Sequence, residues 1–534
     1  MMLCNKKKES SISRRAMLWG FLVALNLLVM PKFTDAASLS WGVPSGDWSL
    51  PANWGGKLPT YSDSAWISNG GTASVNSSVT CGALYLSRGM ASINAGQLFV
   101  AFNGGPNESA VAYVGYNDSG TISQSGGTLS IDTLGDVMLG SKAGTTGTYK
   151  LDGGLLSTYY LDVGSGGTGV FTQSAGSANV VNMFLRTGSY TLSSGTLTAH
   201  LQHIGYNNGV FTQTGGTNVF GNTGDVGFGG LELAAGYTDS HGTYNLLGGT
   251  LTAVKPQSFM QQLCVGYYGE GIFNIGDANG TGTLNEYSGT GYSMNMLVRY
   301  YSGASGTVHG WGSIGLSGSL ENNGRVIADG YGVDRTLDMS QFSAVKRTIV
   351  NNGNYGWFAQ NHGALLLPPV KVAAGAASCN WGQASSDVTL DLINSMHVTF
   401  SNVTSGGSLS IALLAADRSD VAPIDNGKLL DIWNITPTGG LSFDSANLAF
   451  RYDDALAASL GIPETDLRVF HFDAGMWKDV TSGLDATNNL IYADGMTSFS
   501  QYAVGVPEPS TLALLVTSML SLLAYAWQRR KHEA

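Results

Sequence analysis

The chain has 534 residues, 43% of them hydrophobic, 12% charged and 74 of them Gly. Its charge content is about half that of an average globular chain, and its apolar content is too high for disorder, so the bulk properties point to turn-rich β-structure. The formal net charge of -11 becomes about -16 for the body, since residues 1–36 and 506–534 together remove nine bases and four acids; this argues against nucleic acid or anionic lipid as a partner.

Residues 1–36 read as a signal peptide. Lys6, Lys7, Lys8, Arg14 and Arg15 precede an apolar stretch from Ala16 to Met30, followed by Pro31 and the small-residue site Thr34-Asp35-Ala36-Ala37. Cleavage is expected after Ala36 or Ala37 by signal peptidase. Arg14 and Arg15 also fit a twin-arginine export motif, so the export machinery is either that route or the general secretory one.

Residues 37–119 are expected to form an N-terminal cap and the first coils. Trp41, Trp48, Trp54 and Trp66 mark it. The segment resembles the opening of repeat-bearing bacterial surface proteins, where it would cover the first open strand edge. Packing inside the cap is the expected role of Trp41, Trp48 and Trp54, with sugar stacking as the alternative.

Residues 120–320 carry a repeat. Copies start at Gly120 (GTISQ), Gly147 (GTYKL), Gly169 (GVFTQ), Gly188 (GSYTL), Gly209 (GVFTQ), Gly242 (GTYNL), Gly271 (GIFNI) and, more weakly, Gly306 (GTVHG), spaced 19 to 35 residues apart. A second marker falls between copies: Val114-Gly115, Val163-Gly164 and Ile204-Gly205. A strand-rich period in this range signals a solenoid. The third and fifth residues of each copy share one strand face, which is apolar and aromatic, while the alternate face is Thr, Ser and Asn. One coil cannot bury that face alone, but stacked coils can. The prediction is an all-β fold whose body is a parallel β-helix, with Gln124, Gln173 and Gln213 in a hydrogen-bonded ladder or at a corner, because a buried unpaired amide costs a few kcal/mol. A sandwich of antiparallel hairpins is the alternative.

Residues 321–505 alternate in short segments such as Val388–Leu392, His397–Phe400 and Leu467–Phe472, separated by turn residues, so a β-sandwich-like region is expected. Asp454 to Leu460 fits one short helix. The run from Leu448 to Val504 resembles a small β module found before sorting tails.

Residues 506–534 place Pro507, Glu508 and Pro509 before seventeen uncharged residues, Thr511 to Trp527, and then Arg529, Arg530 and Lys531. A helix of that length spans about 25 Å, the short end for a transmembrane helix, and the basic cluster would stay cytoplasmic. The tail resembles the PEP-CTERM sorting signal. That resemblance implies sorting and processing by an exosortase-type protease in exopolysaccharide-producing bacteria. The alternative is a plain, uncut anchor of the same topology.

No catalytic site, metal site or cofactor is expected. The repeat acids (Asp132, Asp136, Asp152, Asp162, Asp225, Glu232 and Asp239) do not recur at matching positions. A paired carboxylate set of the kind polysaccharide hydrolases need is therefore not visible. Asp277-Ala-Asn279-Gly reads as a solvated turn rather than a calcium loop, since the twelfth position is Ser288. Cys81, Cys264 and Cys379 are too few and too far apart for a disulfide framework. The expected function is that of a structural or interaction protein of the cell surface or exopolysaccharide matrix. The alternative is a carbohydrate-binding protein using Tyr159, Tyr160, Tyr267, Tyr268, Tyr300 and Tyr301; a polysaccharide-active enzyme is the least favoured reading.

Overall fold

A computed structural model describes residues 36–101, 110–221, 230–255, 262–287, 291–301, 303–347, 356–382, 393–422, 428–506, 519–523, 525, 527 and 528. The export residues Arg14 and Arg15, the sorting residues Pro507, Glu508 and Pro509, and the basic residues Arg529, Arg530 and Lys531 lie outside them. Among the described residues, no helix is long and apolar enough to cross a membrane. The expected span, 511 to 527, is described only in part, as exposed helical residues from 519 onward.

The described chain is mostly β-strand. From Ser38 to Leu366 the strands pair in parallel with those one repeat earlier or later, most of them with both. The third motif positions define one column: Ala73–Ala91–Ile122–Tyr149–Phe171–Tyr190–Phe211–Tyr244–Phe273–Val308–Val326–Phe358. All twelve side chains are fully buried. The rings pile face to face, with centroids 4.7 Å apart for Tyr149–Phe171, 4.4 Å for Phe171–Tyr190 and 4.7 Å for Tyr190–Phe211. Parallel in-register strands place like positions about 4.8 Å apart, so an aromatic column follows directly from an aromatic at the third position of every copy.

The parallel pairing continues beyond Leu320, through Arg325–Asp329 with Trp357–Asn361 and Arg335–Asp338 with Gly363–Leu366. The marker glycine persists there as Gly324 and Gly356, two residues before the inward Val326 and Phe358, and the inward alternation continues in Ala328.

The inner glutamines do not stack on one another. Gln124, Gln173 and Gln213 alternate in register with Leu151, Leu192 and Leu246. Each sits at a corner: Gln173 Nε2 donates to the carbonyls of Gly176 (3.2 Å) and Thr196 (3.0 Å). Its Oε1 accepts from the Tyr190 hydroxyl of the next coil at 2.6 Å, and Gln124–Tyr149 (2.5 Å) and Gln213–Tyr244 (2.6 Å) repeat the bond. The structural unit is therefore two coils, one with Phe or Ile and Gln, the next with Tyr and Leu. A buried phenol and a buried amide satisfy each other, which neither does alone.

This pairing gives a double-mutant cycle. Tyr190→Phe is expected to destabilise by about 1–3 kcal/mol, because it leaves the Gln173 oxygen buried and unpaired. Gln173→Leu is expected to cost a similar amount by orphaning the Tyr190 hydroxyl; the Gly176 carbonyl keeps its bond from Thr196 N–H. The double variant should lose clearly less than the two single losses combined, measured by chemical denaturation. Strict additivity would reject the coupling.

The strand that ends at Val163 turns at Gly164, where φ is +83°. A Cβ there would lie 1.9 Å from the Thr187 carbonyl oxygen of the next coil, so only Gly fits both the backbone and the stacking distance. Ala234 (φ +58°) and Arg299 (φ +68°) hold the same corner on later coils in the same left-handed conformation.

The ends are closed differently. At the start, Trp41, Trp48 and Trp54 are buried against one another, with ring centroids 5.0 and 4.7 Å apart, so they pack in the cap and are not offered to a ligand. At the far end, Gly363–Leu366 pairs antiparallel with Gly407–Leu414, which begins a second, antiparallel region. That region contains two sheets. One contains Gly407–Leu414, Lys428–Thr438, Gln501–Val506 and Arg468–Asp473. The other contains Ser378–Trp381, Met396–Phe400, Ala446–Arg451, Leu490–Met496 and Thr481–Asp485. They meet through Trp433 and Phe450, 4.8 Å apart. The short helix is Asp454–Ser459, capped by Asp453, whose carboxylate accepts from Leu456 N–H at 2.9 Å.

Candidate functional site

The outward face next to the Gly164 corner is the most differentiated surface among the described residues. The residue just before each corner marker lies on the strand face opposite the core, where most are half-buried and Asp162 and Cys264 are covered. In register these residues run Trp66–Tyr85–Tyr113–Met138–Asp162–Phe184–His203–Glu232. Trp66 stacks on Tyr85 at 4.0 Å and Tyr85 on Tyr113 at 5.0 Å. Tyr116, from the corner, closes edge-on against Trp66 and Tyr85 and tilted against Tyr113.

The middle of this face is polar. Arg186 Nε lies 2.8 and 2.9 Å from the two Asp162 oxygens, and the guanidinium sits over the rings of Phe184 (5.1 Å) and Tyr206 (4.7 Å). His203 Nε2 is 2.9 Å from Glu232 Oε2. Asp136 is on the coil before Asp162, in register with Tyr160. Burial and then the nearby Asp162 charge push its carboxyl up to about 7, against the opposing pull of Arg186. Burial also raises Asp162 despite its bonds to Arg186. Two acids that look unrelated in sequence thus interact across neighbouring coils. Both Asp162 oxygens are engaged by one guanidinium, which holds the carboxylate as an ion-pair partner of Arg186.

At the same corner on later coils, four tyrosines gather. Tyr267 stacks on Tyr300 (5.0 Å, 6°) and Tyr268 on Tyr301 (4.6 Å, 8°), while the two pairs stand nearly perpendicular to each other. Tyr300 and Tyr301 are exposed, and Tyr237 is the most exposed ring on this side at 65%. Of the six tyrosines expected from the sequence to serve as a binding surface, four form this cluster. Tyr159 and Tyr160 pair with each other on an earlier coil, where Tyr160 faces Phe184 at 6.2 Å. Trp66, Tyr85, Tyr113, Phe184 and Tyr206 were not among those expected. Aligning the residue before each Val-Gly or Ile-Gly marker would have found Tyr113, Asp162 and His203 together.

Asp277 is an Asx turn: Oδ1 accepts from Asn279 N–H (2.7 Å) and Gly280 N–H (2.9 Å), and its carbonyl is taken by Trp311 and Arg335. Cys81, Cys264 and Cys379 are free thiols. Among the described residues, no group of three or more His, Cys, Asp or Glu side chains is placed to hold a metal ion. Of the signal-cleavage pair, Ala36 is exposed, and Ala37 is half-buried with its N–H bonded to Asp63 Oδ1 at 3.0 Å. No family model, curated protein or solved structure matches this chain.

Proposed function

We propose that this chain is an exported, envelope-sorted structural and interaction protein of the bacterial cell surface or exopolysaccharide matrix, with no catalysis of its own. In this reading the body is a parallel β-helix and the region after it a β-sandwich-like module. Residues 506–534 act as a PEP-CTERM tail: Pro507, Glu508 and Pro509 are read by an exosortase-type protease, while a transmembrane helix and Arg529, Arg530 and Lys531 hold the chain at the inner membrane until processing. The observation that carries the surface role is the pair of aromatic clusters on one side of a body with few cations, Trp66–Tyr85–Tyr113–Tyr116 at its start and Tyr267–Tyr268–Tyr300–Tyr301 on later coils.

The same face favours a second, narrower reading, carbohydrate binding. Tyrosines present apolar rings with a hydroxyl at the rim, which suits a sugar ring with its own apolar and polar sides. The net negative body repels polyanions, so a neutral polysaccharide is the ligand class.

Two measurements test these readings. The native protein is expected in the envelope or matrix fraction, with a C-terminus upstream of Arg529 by mass spectrometry; an intact tail in soluble cytoplasm would reject export and sorting. Tyr300→Ala/Tyr301→Ala is expected to weaken retention in affinity electrophoresis on a neutral polysaccharide by about tenfold or more, since two aromatic contacts are worth roughly 0.5–1.5 kcal/mol each. Unchanged retention would reject carbohydrate binding at this cluster while leaving the surface role standing.

A further inference from the structure

We propose that export processing cuts between Ala36 and Ala37, and that the new α-ammonium of Ala37 completes a buried ion pair with Asp63. The inference rests on the export reading above and goes beyond it by choosing the bond and giving the product a structural role.

Asp63 is an acid with 1% exposure, and its partners converge on it from three places. Oδ1 accepts from Ala37 N–H at 3.0 Å and from Lys57 Nζ at 3.2 Å. Oδ2 accepts from Thr60 N–H at 3.0 Å and Thr60 Oγ1 at 2.6 Å. Burial opposes the charge, but the bonds from Thr60, Ala37 and Lys57 outweigh it and hold the carboxyl below its ordinary range. Lys57 is half exposed and keeps water around its own charge. The Ala37 carbonyl meanwhile accepts from Ser64 N–H at 2.8 Å, so both polar backbone groups of Ala37 are fixed to the body. Ala36, immediately before it, is exposed.

Hydrolysis of the Ala36–Ala37 amide by water leaves a carboxylate on Ala36 and an amine on Ala37. With an ordinary pKa of about 8, that amine is protonated at neutral pH. One neutral N–H donor becomes three charged ones at an atom already within bonding distance of a buried carboxylate. Charge-assisted bonds of this kind are about twice as strong as neutral ones. Cutting one residue later would remove Ala37, leaving Asp63 Oδ1 and Ser64 N–H each short of a partner; it would also put Asp35 rather than Thr34 at the position that favours a small residue. Lys57 and Asp63 are the charged side chains joined at this corner. The pair raises the pKa of the amine, so its stabilisation is fully present below about pH 8 and is lost as pH rises through the raised value.

The test uses the full-length gene expressed in an export-competent cell. The N-terminus of the exported protein is read by mass spectrometry, and its unmodified α-amine is titrated by NMR through the Ala37 carbon shifts. The expected result is a chain starting at Ala37 whose α-amine titrates at least one pH unit above 8, and Asp63→Asn should return it to about 8. If Asp63→Asn does not fold, the titration of the unsubstituted protein decides alone. A start at Ser38 or elsewhere, or an amine that titrates normally, overturns this inference but leaves export intact. A chain recovered with residues 1–36 attached overturns both.

Discussion

Phe171→Ala is expected to lower stability by about 3–5 kcal/mol, the range for removing a fully buried aromatic side chain. Phe171 lies between Tyr149 and Tyr190 at 4.7 and 4.4 Å, with no solvent exposure, and backbone ladders on both sides fix its coil at the strand spacing. The neighbouring coils cannot close over the gap without breaking those ladders, so little of the cavity can collapse. In a stack where each repeat contacts only its neighbours, the loss falls on two interfaces at once, and the denaturation curve should broaden as coils on either side begin to unfold separately. Thr172→Ala, half-buried on the outward face of the same strand, is the control and should change stability by no more than about 0.5 kcal/mol. Guanidinium denaturation followed by circular dichroism reads both. Equal losses for the two variants would mean that the aromatic column is not what holds the coils together.

The column itself was legible in the sequence, because a strand has a strict two-residue period and each copy places its aromatic at the same step. Tyr149, Phe171, Tyr190 and Phe211 are buried and in contact as the repeat requires. What the sequence hid was the alternation between coils. GVFTQ and GSYTL look like variants of one motif, yet the Gln of the first and the Tyr of the second are bonded partners. Their pairing appears only when copies are compared two at a time. The candidate face was hidden for a related reason. Asp136 and Asp162 are 26 residues apart, a distance set by loop lengths that vary from coil to coil, so their approach becomes visible only after strand register is known. The end of the parallel pairing was obscured because the copies at Gly306 and Gly324 carry Val rather than an aromatic at the third position, although Gly324-Arg325-Val326 and Gly356-Trp357-Phe358 continue the column.

Stability is expected to fall as pH rises from about 4 to 7, and Asp431 is expected to be a principal cause. Asp431 is 3% exposed in the strand Lys428–Thr438. Its Oδ1 accepts from Asn394 Nδ2 at 2.5 Å and Gln360 Nε2 at 3.4 Å, while Oδ2 is buried with no hydrogen-bond partner among the described residues. Burial, reinforced by the charge of Asp453, pushes the carboxyl up to about 7 in spite of the two bonds. The unfolded chain ionises this group near 4, so between pH 4 and 7 the folded state holds the proton that the unfolded state has released. Stability is therefore highest below about pH 4 as far as this group is concerned, declines through that window, and levels off above 7; at about 1.4 kcal/mol per pH unit the full loss is at most roughly 4 kcal/mol. The location makes the effect structural, since Gln360 belongs to the strand Trp357–Asn361 of the parallel body and Asp431 to the antiparallel region, so charging strains the contact between the two. Asp431→Asn removes one ionisation and should roughly halve the slope of the pH profile, leaving the part due to Asp136, whose carboxyl is also raised to about 7. Urea denaturation of both proteins at pH 4.5, 6 and 7.5 measures the difference. If the two profiles run parallel, Asp431 is not protonated in the folded protein, and the junction instead holds a buried carboxylate with only two hydrogen bonds to support its charge.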